Sequence, residues 1–112
     1  MDTRKLLIAD GNEEFRRALA AELQGAYHVR CCDDGKEALS LLRSFAPDVL
    51  VLDLMLPGLD GISLLQSAAA SGLCPMVLVT SRFYNDYVLT ALGELSVGYM
   101  LSLIHISEPT RH

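Results

Sequence analysis

Basic charge is scarce in this chain: nine Lys and Arg stand against fourteen Asp and Glu over 112 residues, a formal charge of −5, with an isoelectric point near 5.0. A surface that grips phosphate backbones needs the opposite balance, so no direct nucleic-acid contact is expected. Long apolar runs are missing as well. No segment reaches the length that crosses a bilayer, and the opening MDTRKLLIAD lacks the apolar stretch and small-residue cleavage site of a secretory leader. A cytoplasmic protein without membrane contact is expected. Cysteine is limited to three residues, with no C-x-x-C pair and no metal-ligand spacing. Cys31 and Cys32 are adjacent in a β-forming run, so their side chains leave on opposite faces and cannot readily bond each other. All three are expected to be reduced, packed thiols. Lysine is absent beyond Lys36.

What is present is apolar and ordered. Hydrophobic residues make up 51% and charged residues 21%, mean hydropathy is +0.30, and the length suits one domain with one core.

Short β-forming runs alternate with longer stretches of helical period, the mark of a parallel sheet covered by helices. The expected strands are Lys5–Ala9, Tyr27–Cys32, Val49–Asp53, Met76–Thr80 and Val97 to about Leu101. The run from Val49 to Leu52 is uninterrupted apolar matter, as in a central strand buried on both faces, and it ends on the carboxylate of Asp53. Asn12 can cap a first helix with Phe15, Ala18, Leu19 and Leu23 on one stripe and Gly25 at its end. Asp34 and Glu37 form a capping-box pattern ahead of Ala38, Leu41, Leu42 and Phe45, and Pro47 stops that helix. Asp60-Gly61 opens a third helix through Ile62, Leu65 and Ala69, and a fourth runs from about Tyr84 to Leu95. In open sheets of this kind ligands bind beyond the carboxyl ends of the strands. Asp10, Asp53 and Thr80 fall on three of those ends. A charge at the tip of so apolar a strand as the one before Asp53 needs a partner.

The motifs LLIAD at 6–10, DVLVLDLMLPGLDG at 48–61, VLVTS at 77–81 and GYML at 98–101 together resemble the receiver domain of bacterial two-component response regulators. IADGNEEF at 8–15 also resembles the sporulation-type members. The resemblance implies an α/β, flavodoxin-like, doubly wound five-stranded parallel sheet of order 2-1-3-4-5. It implies Asp53 as phosphoryl acceptor, Thr80 as the hydroxyl that bonds the phosphoryl group, and Tyr99 as the aromatic switch. Asp10, Asp53 and the backbone carbonyl of Met55 would hold Mg²⁺. The chemistry is self-consistent: a carboxylate oxygen attacking phosphorus needs a cation to screen the converging negative charges, and Mg²⁺ favours a few carboxylates with phosphate oxygens and water. The implied partner is a histidine kinase or phosphotransfer protein, with a homodimer in the full-length protein. By the same resemblance, the domain would accept a group in signalling and would not be a turnover enzyme.

Two departures from the family pattern stand out. Receivers carry paired acids after the first strand, whereas here Asp10 is followed by Gly11, so weaker Mg²⁺ binding is expected. Glu13 is the nearby substitute, although a first-turn acid also suits the helix dipole. Receivers also place a Lys three residues after the switch aromatic, where this chain has Ser102, which removes a fixed positive partner for phosphoryl oxygens. The stretch LSLIHISEPTR at 101–111 resembles translated adapter sequence. The expected organisation is therefore a receiver domain over residues 1–100, truncated before its final helix, and a non-native tail at 101–112 in which His105 and His112 carry no role. Apolar surface near Leu19 and the last strand would be left uncovered.

The alternative is a pseudo-receiver, a protein-interaction module that works without phosphorylation, which Gly11 and Ser102 favour and Asp53, Thr80 and Tyr99 oppose. A flavin or nucleotide binder fits less well, because residues 10–14, DGNEE, are acidic where an anion would sit.

Overall fold

The computed structural model describes residues 4–73 and 75–80. Four strands alternate with three helices: β1 (Arg4–Ala9), α1 (Glu13–Leu23), β2 (Tyr27–Cys32), α2 (Gly35–Ser44), β3 (Val49–Leu52), α3 (Gly61–Ala70) and β4 (Met76–Val79). Every pairing is parallel and the strand order is β2-β1-β3-β4. β1 thus sits between β2 and β3, and the winding direction reverses there, which opens a crevice at the carboxyl ends. These are the first four places of the expected 2-1-3-4-5 order. The expected fifth strand, fourth helix and 101–112 tail lie outside the described residues.

The strands form where the apolar runs are, and the central ones are buried on both faces. Leu7, Ala9, Leu50 and Leu52 pack with Ala38, Leu41 and Leu42 of α2 and Leu64, Leu65 and Ala68 of α3. Leu6, Ile8 and Val51 face the other way, onto Leu19, Ala20 and Leu23 of α1. The two faces are unequal. Helix α1 contains no fully buried residue, and Ala18, expected on its inner stripe, is exposed. Leu19 is half-buried and packs against Leu6, Ile8 and Val51.

Local signals explain most boundaries. Asn12 caps α1 by accepting from the Phe15 N–H, and Asp34 caps α2 by accepting from Lys36 and Glu37. Gly25 differs from expectation: Gln24 closes α1 in right-handed geometry, and among the described residues the left-handed glycines are Gly58 and Gly72. Helix α3 buries the expected Leu65 together with Gly61, Leu64 and Ala68, and Ile62 packs partly buried against the same core. Asp60 pins its first turn through the Ser63 N–H at 2.9 Å and hydroxyl at 3.0 Å, and Gly61 backs directly onto Leu54. Of the cysteines, Cys32 is buried and Cys31 is exposed, because β2 is an edge strand and its two faces are covered unequally. Burial pushes the Cys32 thiol up to about 12. Cys74 lies outside the described residues.

Helix α2 ends by an unusual route for its sequence. The N–H groups of Phe45 and Ala46 both reach the Leu41 carbonyl, at 2.8 and 3.2 Å, and Ala46 takes φ 51. A Cβ in that region costs about 1–2 kcal/mol, and glycine entropy returns about 0.5–1 kcal/mol of it. Ala46→Gly is therefore expected to stabilise the domain by about 0.5–1 kcal/mol in urea unfolding; a lower midpoint would contradict this.

Candidate functional site

The residues expected at the strand tips are neighbours because the ladder runs one rung past each strand. The Asp10 N–H bonds the Cys32 carbonyl at 3.1 Å, the Asp53 N–H bonds the Ala9 carbonyl at 2.9 Å, and the Thr80 N–H bonds the Leu52 carbonyl at 2.9 Å. Ala9 pairs with both Cys32 and Leu52, and Leu52 with Val79. With strands about 4.8 Å apart, Asp53 stands at the same level as Asp10 and Thr80 and between them.

Asp10 is the one buried polar or charged residue among the described residues, at 7% exposure. Its Oδ1 accepts the Asn12 N–H at 2.8 Å, and its Oδ2 accepts the Thr80 hydroxyl at 3.4 Å. That second bond is long and correspondingly weak. Burial lifts the Asp10 carboxyl above its ordinary value of 3.8; the Asn12 N–H opposes this, the Asp53 charge adds to it, and Thr80 and Arg16 oppose it. A raised folded-state value means the fold prefers the protonated acid. The associated stability is complete below 3.8 and is lost as pH rises through the folded-state value. Asp10→Asn, whose amide oxygen can still accept from Asn12, should unfold at a higher temperature than wild type at pH 7, by a few degrees for about 1 kcal/mol. The advantage should vanish below about pH 4. Equal midpoints at both pH values would remove the basis for this expectation.

Asp53 is half-buried and its Oδ1 accepts the Met55 N–H at 2.9 Å. Among the described residues no other donor reaches its carboxylate. Met55 follows in an exposed loop with its side chain turned outward at 63% exposure, while Leu54 and Leu56 on either side are buried at 4% and 5%. Two facing carboxylates, one strained by burial and by its neighbour, form a donor set that suits a hard divalent cation. The set is small. Among the described residues no group of three or more His, Cys, Asp or Glu side chains could hold a metal ion. Glu13, the nearby acid of the first turn, is exposed and pairs with Arg17 at 3.5 Å.

Arg16 adds a contact that no sequence motif marks. Its Nη1 donates to the Asp10 carbonyl at 2.8 Å, so α1 secures the turn that carries the buried acid. One turn into a helix, an arginine gives no sign of this in the sequence. Tyr99 and Ser102 lie outside the described residues.

Comparison with known proteins agrees with the geometry. The family model of the response regulator receiver domain matches residues 6–102. A protein-glutamate methylesterase/protein-glutamine glutaminase of Myxococcus xanthus is 38% identical over 97 residues, covering 84% of this chain and 28% of that protein. The transcriptional regulatory protein AfsQ1 of Streptomyces coelicolor is 35% identical over 89 residues, covering 79% of this chain and 39% of that protein. The chain therefore spans well under half the length of these relatives. Among solved structures, the Francisella response regulator 1452 receiver domain has a TM-score of 0.76 at 29% identity, covering 88% of this chain and 84% of that one. The phosphorylated cyanobacterial phytochrome response regulator RcpA has a TM-score of 0.78 at 26% identity, covering 95% and 85%. The pseudo-receiver alternative finds no support in these relatives. With its sheet order, its strand-tip acids and its relatives in agreement, the chain belongs to the response regulator receiver domain family of two-component signalling.

Proposed function

We propose that Asp53 accepts a phosphoryl group from a histidine kinase or phosphotransfer protein and that the resulting charge switches an output surface. The observation that carries this is the placement of Asp53 on the rung between Asp10 and Thr80, where the two flanking side chains already touch. Asp10, Asp53 and the Met55 carbonyl would hold Mg²⁺, which when bound screens the negative charges that meet during transfer. Met55's N–H fixes one oxygen of Asp53 and leaves the other to attack phosphorus. The new oxygen–phosphorus bond replaces the bond to the donor's leaving atom, and the product is an acyl phosphate. Thr80, released from its long bond to Asp10, donates its hydroxyl to a phosphoryl oxygen. The added charge draws Thr80 inward and lets Tyr99 follow.

The domain takes up a group and passes on a state, so we read it as a switch and not a turnover enzyme. A cytoplasmic setting and a homodimer of the whole protein belong to this reading, as does the absence of direct nucleic-acid contact by this domain. Among the described residues no helix is long and apolar enough to cross a membrane.

Intact mass spectrometry tests the proposal. Wild type incubated with a small acyl phosphate and Mg²⁺ should gain one phosphoryl group, and Asp53→Ala should gain none. An increment that persists in Asp53→Ala, or none on wild type, would refute it.

A further inference from the structure

Helix α2 begins against the loop that leaves Asp53, and the two segments are fitted to each other. The first N–H groups of a helix need outside acceptors. Those of Lys36 and Glu37 go to Asp34 Oδ1, at 2.8 and 3.1 Å. That of Gly35 goes across to the Pro57 carbonyl at 2.8 Å, which also accepts the Leu59 N–H at 2.9 Å.

The approach leaves no room for side chains. A methyl group on Gly35 would overlap the Leu59 carbonyl oxygen and lie 2.6 Å from its carbon. One on Gly58, at φ +82, would overlap Asp34 Oδ2 and lie 2.9 Å from Asp34 Cγ. At its other end the same loop is tied by Asp53 Oδ1 to the Met55 N–H and by the buried Leu54 and Leu56. Met55 therefore sits between two anchors, one on the acceptor and one on α2.

We propose that Asp34 and Gly35 are positioning residues for phosphoryl transfer: they clamp the Pro57–Leu59 turn and thereby hold the Met55 carbonyl in place for Mg²⁺. This rests on the reading of Asp53 and Met55 given above. The clamp acts through shape and one hydrogen bond between the two segments, and Asp34 contributes by standing against Gly58 as well as by capping α2.

A double-mutant cycle with three readouts tests it: calorimetric titration with MgCl₂, amide hydrogen exchange at Met55, and urea unfolding. Gly58→Ala should weaken Mg²⁺ binding about tenfold, the scale on which support residues affect metal affinity, and should speed exchange at Met55. In an Asp34→Ala background, where the opposing carboxylate is gone, the same change should cost much less. Asp34→Asn, which keeps an oxygen for Lys36 and Glu37, should hold the urea midpoint near that of wild type. If Gly58→Ala does not fold, Asp34→Ala alone should still weaken Mg²⁺ binding and speed Met55 exchange. The proposal is overturned if the variants lose stability while Mg²⁺ affinity and Met55 exchange stay within about twofold of wild type, or if the two changes are simply additive. A wild type that binds no Mg²⁺ sinks the functional reading. The clamp is then judged by Met55 exchange, with unchanged exchange overturning it and faster exchange supporting it.

Discussion

Gly11→Asp should tighten Mg²⁺ binding by about ten- to a hundredfold, equivalent to roughly 1.4–2.8 kcal/mol. The expectation rests on what surrounds the position. Gly11 is exposed, its backbone is outside the left-handed region, and a Cβ there would meet only the Pro57 Cδ, at 4.0 Å. A side chain can therefore be added without displacing anything. It would stand next to Asp10, whose carboxyl already lies above its ordinary value through burial, with the Asp53 charge adding to it. A third acid deepens the attraction for a divalent cation and the repulsion in its absence. The same variant should thus be less stable than wild type in metal-free buffer at neutral pH and regain the difference on adding Mg²⁺. Calorimetric titration with MgCl₂ and thermal unfolding with and without the metal measure both effects. An unchanged affinity would mean that position 11 does not face the cation.

Gly35→Ala should cost about 3 kcal/mol or more of stability, at the upper end of overpacking effects. The new methyl meets backbone, the carbonyl group of Leu59, and lies 2.8 Å from the Leu59 Cβ. Neither segment yields easily: α2 is anchored by the buried Ala38, Leu41 and Leu42, and the loop by Leu54 and Leu56. Gly25 supplies the contrast. Nothing lies within 4 Å of a Cβ placed there and its φ is not in the left-handed region, so Gly25→Ala should be neutral or stabilising by about 0.4–1 kcal/mol. Urea unfolding of the two variants side by side is the measurement. A loss below about 1 kcal/mol for Gly35→Ala would show that α2 can slide away from the loop.

Both expectations concern glycines that look alike in the sequence and differ only in what surrounds them. The same is true of other features. The α2 stripe of Ala38, Leu41, Leu42 and Phe45 was legible because its period is strict and its cap is strong, and all four are buried. The α1 stripe had the same period, yet none of its residues is fully buried, since burial depends on how closely the helix packs on Leu6, Ile8 and Val51. In α3 the expected Leu65 is buried and Ile62 packs at the edge of the core, while the burial of Gly61 was hidden because it depends on Leu54, a contact between residues seven apart in a chain that first has to turn. Arg16 and the exposure of Cys31 were hidden for a similar reason, the one depending on the path of α1 over Asp10 and the other on the edge position of β2.

Alternating apolar runs and capping residues, which act over a few neighbours, were enough to establish, among the described residues, four strands, three helices, the parallel sheet and the polar residues at the strand tips. The lateral order that seats Asp53 between Asp10 and Thr80, the buried state of Asp10 and the contact of α2 with the Asp53 loop were decided by tertiary structure. Each joins segments far apart in the chain, and no local propensity specifies which distant group will occupy the space beside a given atom.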